Sequence, residues 1–188
     1  MRITDDRYAG ELHKFELAMR MITHEARTGT IRACTGFSED RIRKIYSTYF
    51  KFPAGTTVKR RRGKSPSQIT GFVSSSWHQA ETTVVVCLFF YCGVTSLGPG
   101  KGPASAIRQS PEELGKRLCC AYEIYCQLYA EPHFSFEKIW ALYKALVQSQ
   151  ELYLAKCAGC GAPYVQDAYA LDYERCPFCE LKDQGNHV

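Results

Sequence analysis

Apolar residues recur at helical spacing through most of the chain. Leu12, Phe15, Met19 and Ile22 share one face of a helix running from residue 10 to about residue 26. The pattern then changes within "TIRACTGFSEDRIRKIYSTYF". Residues 31–35 predict a short helical piece, Gly36 breaks it, and Ser38 caps a second helix. Glu39 and Asp40 fall in the first turn of that helix, where negative charge favours the helix dipole. Ile42, Ile45, Tyr46 and Tyr49 give it one apolar face, and Pro53 and Gly55 close it.

Val73, Trp77, Ala80, Val84, Leu88 and Tyr91 fit a further helix ending at Gly93, although residues 84–86 would also suit a strand. Residues 98–103 read as a loop. "SPEE" at residues 110–113 is a capping box with proline at the first helical position. Leu114, Leu118, Tyr122, Tyr125 and Tyr129 continue that helix toward Pro132. Phe136, Ile139, Trp140, Tyr143, Leu146 and Val147 define one more, running toward an irregular tail. The predicted fold is mostly α: a helical domain over residues 1–150 and a small module over residues 151–188.

Composition changes this picture little: 45% hydrophobic and 13% aromatic residues describe a globular chain. The longest apolar run, residues 84–94, has 11 residues, too few to span a bilayer as a helix. Acids stand among residues 1–11 where a secretory h-region would begin, so a cytoplasmic protein with no membrane partner is expected. Charge changes more. Residues 27–64 carry 11 Lys/Arg against 2 Asp/Glu, a local balance of +9, while the remainder is at −4. Such segregation points to a polyanionic partner, double-stranded DNA first.

Of ten cysteines, Cys34, Cys87, Cys92, Cys119, Cys120 and Cys126 lie among apolar neighbours and read as small buried hydrophobes. The other four form "CAGC" and "CPFC", two Cys-x-x-Cys pairs fifteen residues apart. Disulfides, a redox dithiol and a metal are the possible chemistries. A reducing compartment disfavours the first, and no βαβ context supports the second. The spacing is that of zinc sites, in which each tight turn presents two thiolates to one ion. Cys157, Cys160, Cys176 and Cys179 are therefore the expected ligands of one structural Zn2+ per chain. Four thiolates fill the coordination shell and no acid–base group accompanies them, so neither an enzyme nor a small-molecule substrate is expected.

The segment at residues 27–50 has the parts of a helix-turn-helix: a short helix, a glycine turn and a second helix whose outer face presents Asp40, Arg43, Lys44 and Ser47, flanked by Glu39 and Arg41. An ordinary helical hairpin with a charged surface is the alternative. The connector at residues 58–68 holds "KRRRGK", in which Arg60, Arg61, Arg62 and Lys64 suit phosphate gripping. Its "GKS" and the later "GPGKGP" both fail the phosphate-loop pattern.

With these parts in order, the chain resembles the FlhC family, the bacterial flagellar transcriptional activator subunit. "ELAMRMITHEARTGTI", "GFSEDRIRKIY", "RRGKSPSQ" and, most specifically, "EKIWALYKALVQSQELYLAKCAGCG" followed by "CPFC" carry the resemblance. It implies zinc ligation by Cys157, Cys160, Cys176 and Cys179. It also implies an α-helical DNA-binding subunit that works with an FlhD-type partner and recruits RNA polymerase to flagellar promoters. Aromatics concentrated between residues 72 and 143 accord with a surface buried by a partner. The rival class is a zinc-stapled protein-interaction module with only nonspecific DNA contact.

Overall fold

The computed structural model describes residues 3–51, 58, 59, 61, 70–96, 104–149, 151–170 and 174–185. In chain order it places α1 (Ile3–Thr23), α2 (Thr28–Thr35), α3 (Glu39–Tyr49), a 3-10 turn (Thr70–Phe72) and α4 (Ser76–Tyr91). Next come β1 (Thr95–Ser96), β2 (Ser105–Ala106), α5 (Pro111–Leu128) and α6 (Phe136–Lys144). A π-helical turn (Ala145–Ser149), β3 (Leu152–Lys156), β4 (Pro163–Asp167) and α7 (Pro177–Gly185) complete the order. Helices dominate, as the periodicity predicts. The stop at Pro53 and Gly55 and the loop at residues 98–103 lie outside the described residues.

Two compact units are built from alternating stretches of chain: Met1–Ser65 with Gln109–Trp140, and Pro66–Arg108 with Ala141–Val188. This division differs from a single boundary at residue 150. Residues 66–108 group with the cysteine module because α4 supplies hydrogen bonds to β4 and α7.

In the first unit α1 stops at Thr23, three residues short of the expected end. Glu25 turns left-handed there (φ 56°). Its N–H reaches the Ile22 carbonyl at 2.9 Å, and the Ala26 N–H reaches Met21 at 3.0 Å. That is a Schellman close with glutamate where glycine is usual. The second helix takes its start from afar, since the buried Glu137 carboxylate accepts from the Arg27 N–H at 2.7 Å. Gly36 (φ 72°) ends α2, and the Ser38 hydroxyl accepts from the Arg41 N–H to begin α3. Both turn signals act as the sequence predicts. Ser110 likewise caps α5 by accepting from the Glu113 N–H. The α5 stripe is trimmed, because Tyr129 is extended and outside the helix. Tyr125, fully buried, accepts from the Phe134 N–H through its hydroxyl at 2.9 Å.

The second unit corrects two expectations. Trp77 and Tyr91, placed on the inner stripe of α4, are 73% and 83% exposed. The buried face instead carries Ala80, Thr82, Thr83, Val86 and Phe89. Polar atoms are satisfied there: Thr82 donates to the Phe72 carbonyl, and Thr83 donates to Gln79 while accepting from the Val165 N–H. The tail is not irregular either. Strands β3 and β4 form an antiparallel hairpin with Leu152 opposite Asp167 and Lys156 opposite Pro163, and α7 follows. A minor pair, β1 with β2, joins Thr95 to Ala106.

Candidate metal centre and nucleic-acid face

Strand pairing puts the first two cysteines where a metal site needs them. The β3–β4 connection is residues 157–162, which contain Cys157 and Cys160. The Cys157 N–H donates to the Ala162 carbonyl, and the Gly161 N–H donates back to Cys157. Gly161 supplies the left-handed step (φ 74°) that this knuckle requires. The second pair belongs to the start of α7, where Pro177 opens the helix behind Cys176 and Cys179 lies one turn in. The salt bridge of Arg175 to Asp183 (2.6 Å) ties this start to its own helix.

The four sulfur atoms converge, all within 4.8 Å of one another. Cys157 stands 3.9 Å from Cys179, and Cys160 stands 3.6 Å from Cys176. A disulfide needs about 2.05 Å, so these are not bonded pairs. Thiolates about 2.3 Å from a zinc ion form a tetrahedron with edges of about 3.8 Å, and the observed separations bracket that value. The donor set and its spacing are compatible with structural zinc.

Electrostatics favour a cation among them. N–H groups of Cys160 and Cys176 draw the Cys157 thiol down to about 6, the latter through a 3.2 Å hydrogen bond to its sulfur. Hydrogen bonding with neighbouring thiols, Cys176 first, pushes Cys179 up to about 12, and burial pushes Cys176 up. Peptide dipoles thus hold one thiolate, whereas further thiolates crowd like charge onto the same spot. A divalent ion removes that penalty and displaces the protons.

Support for the cluster comes from α4, a helix that no sequence signal tied to the cysteines. Ser76 donates to Glu180 on α7 at 2.8 Å, and Gln79 donates to the Val165 carbonyl of β4 at 2.8 Å. Ala155 and Tyr164 pack with Cys157 and Cys176 in a small core, with Tyr153 and Cys179 at its edge. Of the six other cysteines, Cys34 and Cys119 are buried, and burial pushes both thiols up to about 12, which leaves them unreactive. Cys92, Cys120 and Cys126 are partly buried. Cys87 is a correction: it lies on the exposed side of α4.

The second assembly is the α2–Gly36–α3 hairpin. Phe37, Ile42 and Ile45 are buried beneath it, 2–5% exposed. Thr35 locks the turn by donating to Ile31 and accepting from the Phe37 N–H. Tyr49, expected on the same inner face, is 53% exposed and meets Phe15 edge-on at its rim. Glu39, Asp40, Arg41, Arg43, Lys44 and Ser47 are all exposed on α3. Several are already engaged. Arg41 pairs with Glu11 at 2.7 Å and lies 3.8 Å over the Phe37 ring. Arg43 pairs with Asp40 at 2.8 Å and Glu39 at 3.2 Å, and Ser47 donates to the Lys44 carbonyl.

No protein-family model matches the chain, and no curated protein matches it.

Exposed pairs within one helix are worth only about 0.3–0.5 kcal/mol, so Arg43 is readily released to a stronger anionic partner. Arg41 is different, since its stacking on Phe37 and its bond to α1 make it part of the hairpin. In the basic run, Arg61 pairs with Glu25 through Nε at 2.9 Å, while Arg60, Arg62 and Lys64 lie outside the described residues. Glu25 and Tyr46 are contacts that sequence reasoning missed. The signal for Glu25 was the lone acid inside "THEART", which the helical periodicity absorbed. No described helix is long and apolar enough to cross a membrane.

Proposed function

We propose that the chain is a transcriptional activator subunit that binds double-stranded DNA through the α2–α3 helix-turn-helix and is stapled by one structural zinc ion. Cys157, Cys160, Cys176 and Cys179 hold that ion; its role is to fold the β3–β4–α7 module, because four thiolates leave no position for water. The observation that carries the DNA reading is the capped hairpin itself. Gly36 and Ser38 set a three-residue turn, Ile42 and Ile45 seat α3, and Arg43 and Lys44 stand on its exposed face. In this reading Arg43 and Lys44 meet base edges and phosphates, Asp40 and Glu39 are available to accept from cytosine, and the 58–64 run grips the backbone.

The sequence resemblance adds the setting: an FlhC-like subunit of a cytoplasmic hetero-oligomer with an FlhD-type partner, recruiting RNA polymerase at flagellar promoters. Trp77 and Tyr91, exposed on α4, are candidates for burial against that partner. The pairing of Arg41 and Arg43 with Glu11, Asp40 and Glu39 favours a second reading, a zinc-stapled interaction module with nonspecific DNA contact. Co-expression with an FlhD-type subunit, light scattering and footprinting on a flagellar promoter separate the two. A hetero-oligomer protecting a defined site supports the first. A complex that forms but protects no preferred sequence supports the second, and a monomer ignoring that subunit removes the FlhC-like setting.

A further inference from the structure

The close of α1 contains an anomaly with a physical use. Two helices end in the same Schellman geometry: α4, where Gly93 adopts φ 70°, and α1, where Glu25 adopts φ 56°. Glycine takes this conformation at no steric cost, whereas a residue with a Cβ does so only when its surroundings hold it there. The surroundings of Glu25 are the beginning of the basic run. Its Oε1 accepts from the Lys59 N–H at 3.3 Å, and its Oε2 accepts from Arg61 Nε at 2.9 Å. From α3, the Tyr46 hydroxyl donates to the Val58 carbonyl at 2.7 Å. Val58 and Lys59 close over Ile22, Ile31 and Ile42, leaving a cavity of about 10 Å³. The run is thus fastened at its three described positions, 58, 59 and 61, to the close of α1 and the last turn of α3.

The chemistry of the fastening matters as much as its place. Glu25 engages the side nitrogen Nε of Arg61, a contact that does not use the two Nη nitrogens. A guanidinium supported in this way is ordered before it meets a phosphate and loses less freedom on doing so. A carboxylate beside a basic run would otherwise be a liability for binding polyanions, since it repels them.

We infer that Glu25, assisted by Tyr46, is a positioning residue for nucleic-acid binding: it ties the basic run at Lys59 and Arg61 beside α3, so that Arg61 presents a pre-ordered guanidinium to a phosphate of double-stranded DNA. The inference rests on the DNA reading proposed above. It makes an unusual demand, that deleting a negative charge next to the basic run weakens DNA binding.

The test uses the zinc-loaded full chain and a duplex of arbitrary sequence, about two helical turns long, with affinity measured over a salt series. The variants are Glu25→Gly, which suits the left-handed backbone and keeps the helix close, Tyr46→Phe, Arg61→Ala and the Glu25→Gly/Arg61→Ala double variant. Glu25→Gly and Tyr46→Phe are expected to weaken binding by roughly three- to tenfold, the effect of ordering one long side chain and its strap. Losing one phosphate contact lowers the slope of log affinity against log salt by about 0.9, and Glu25→Gly should show most of that drop. Arg61→Ala should weaken the wild type by a similar factor and add little in the Glu25→Gly background. A simple structural defect would move melting temperature and leave the salt slope alone, and that outcome overturns the inference. Tighter binding by Glu25→Gly at every salt, or additive losses in the double variant, also overturns the inference alone. A wild-type chain that binds no duplex, either alone or together with an FlhD-type subunit, overturns the DNA reading and this inference with it.

Discussion

Gly115 of α5 sits where α5 meets α2, the helix that supports α3, and replacing it by alanine tests how tightly that support is packed. A Cβ there would stand 2.9 Å from Cys34 Cβ, 3.0 Å from Leu17 Cδ2 and 3.3 Å from Cys34 Sγ. Carbon atoms pack best at about 3.5–4.0 Å. The Leu17 methyl and the Cys34 sulfur yield by rotation, but Cys34 Cβ is fixed to the α2 backbone, so the two helices must part by roughly half an ångström. Alanine for glycine in a helix interior is worth about 1 kcal/mol in favour of folding. Overpacking costs about 1–3 kcal/mol, and contact with a backbone-anchored atom places this case in the upper half of that range. The net expectation is destabilisation of about 1–2 kcal/mol, a fall of about 2–8 °C in Tm for a chain of this size. Gly10 in α1 is the internal control, because a Cβ there meets nothing within 4 Å. Gly10→Ala should raise Tm, and Cys34→Ala should relieve Gly115→Ala only in part, since Cβ remains. Thermal unfolding of the zinc-loaded chain reads all three. Equal stabilisation by Gly10→Ala and Gly115→Ala would refute the packing argument.

Cys176→Ser leaves an incomplete shell; metal analysis of the reduced, purified protein should show about one zinc in the wild type and far less in the variant, with loss of the β3–β4–α7 module. Arg43→Ala should cost on the order of 1–3 kcal/mol on the best DNA site and relax sequence discrimination, whereas neutralising the 58–64 run should weaken all duplexes alike and flatten the salt dependence. Arg20, bonded to Glu123 at 2.7 Å, and His24 at 2.8 Å hold the Glu123 carboxyl below its ordinary value. Stability from this trio is complete above the ordinary carboxylate pKa of about 4.3 and is lost as pH falls through the lower folded-state value. Urea midpoints of wild type and Glu123→Gln should therefore differ near neutral pH and converge in acid, below that value.

Short-range signals were the legible part of this fold. Gly36, Ser38 and Ser110 act through bonds to residues three or four positions away, so their consequences are written locally. Cysteine spacing was equally legible, because each Cys-x-x-Cys turn is a local feature, and the four sulfur atoms do converge within 4.8 Å of one another. Features that depend on distant partners were not. The inner face of α4 is chosen by Val165 and Phe72, whose backbone groups need Thr83, Gln79 and Thr82, so a hydrophobic stripe through Trp77 and Tyr91 pointed the wrong way. In β4, Tyr164, Val165 and Gln166 are buried in succession, which erases the alternation that marks a half-exposed strand. Glu25 was hidden for a related reason: only the return of Lys59 and Arg61 to its side shows why a glutamate occupies a glycine position.

The central claim is that the α2–α3 hairpin of a zinc-stapled chain reads DNA sequence. The most direct measurement is a competition binding assay with the zinc-loaded chain and its FlhD-type partner, using duplexes selected from a random pool against unselected duplex at physiological salt. The account predicts a preference of about 10³-fold or more for the selected site, reduced by Arg43→Ala. Equal affinity for selected and unselected DNA, or a preference that Arg43→Ala leaves untouched, would contradict it.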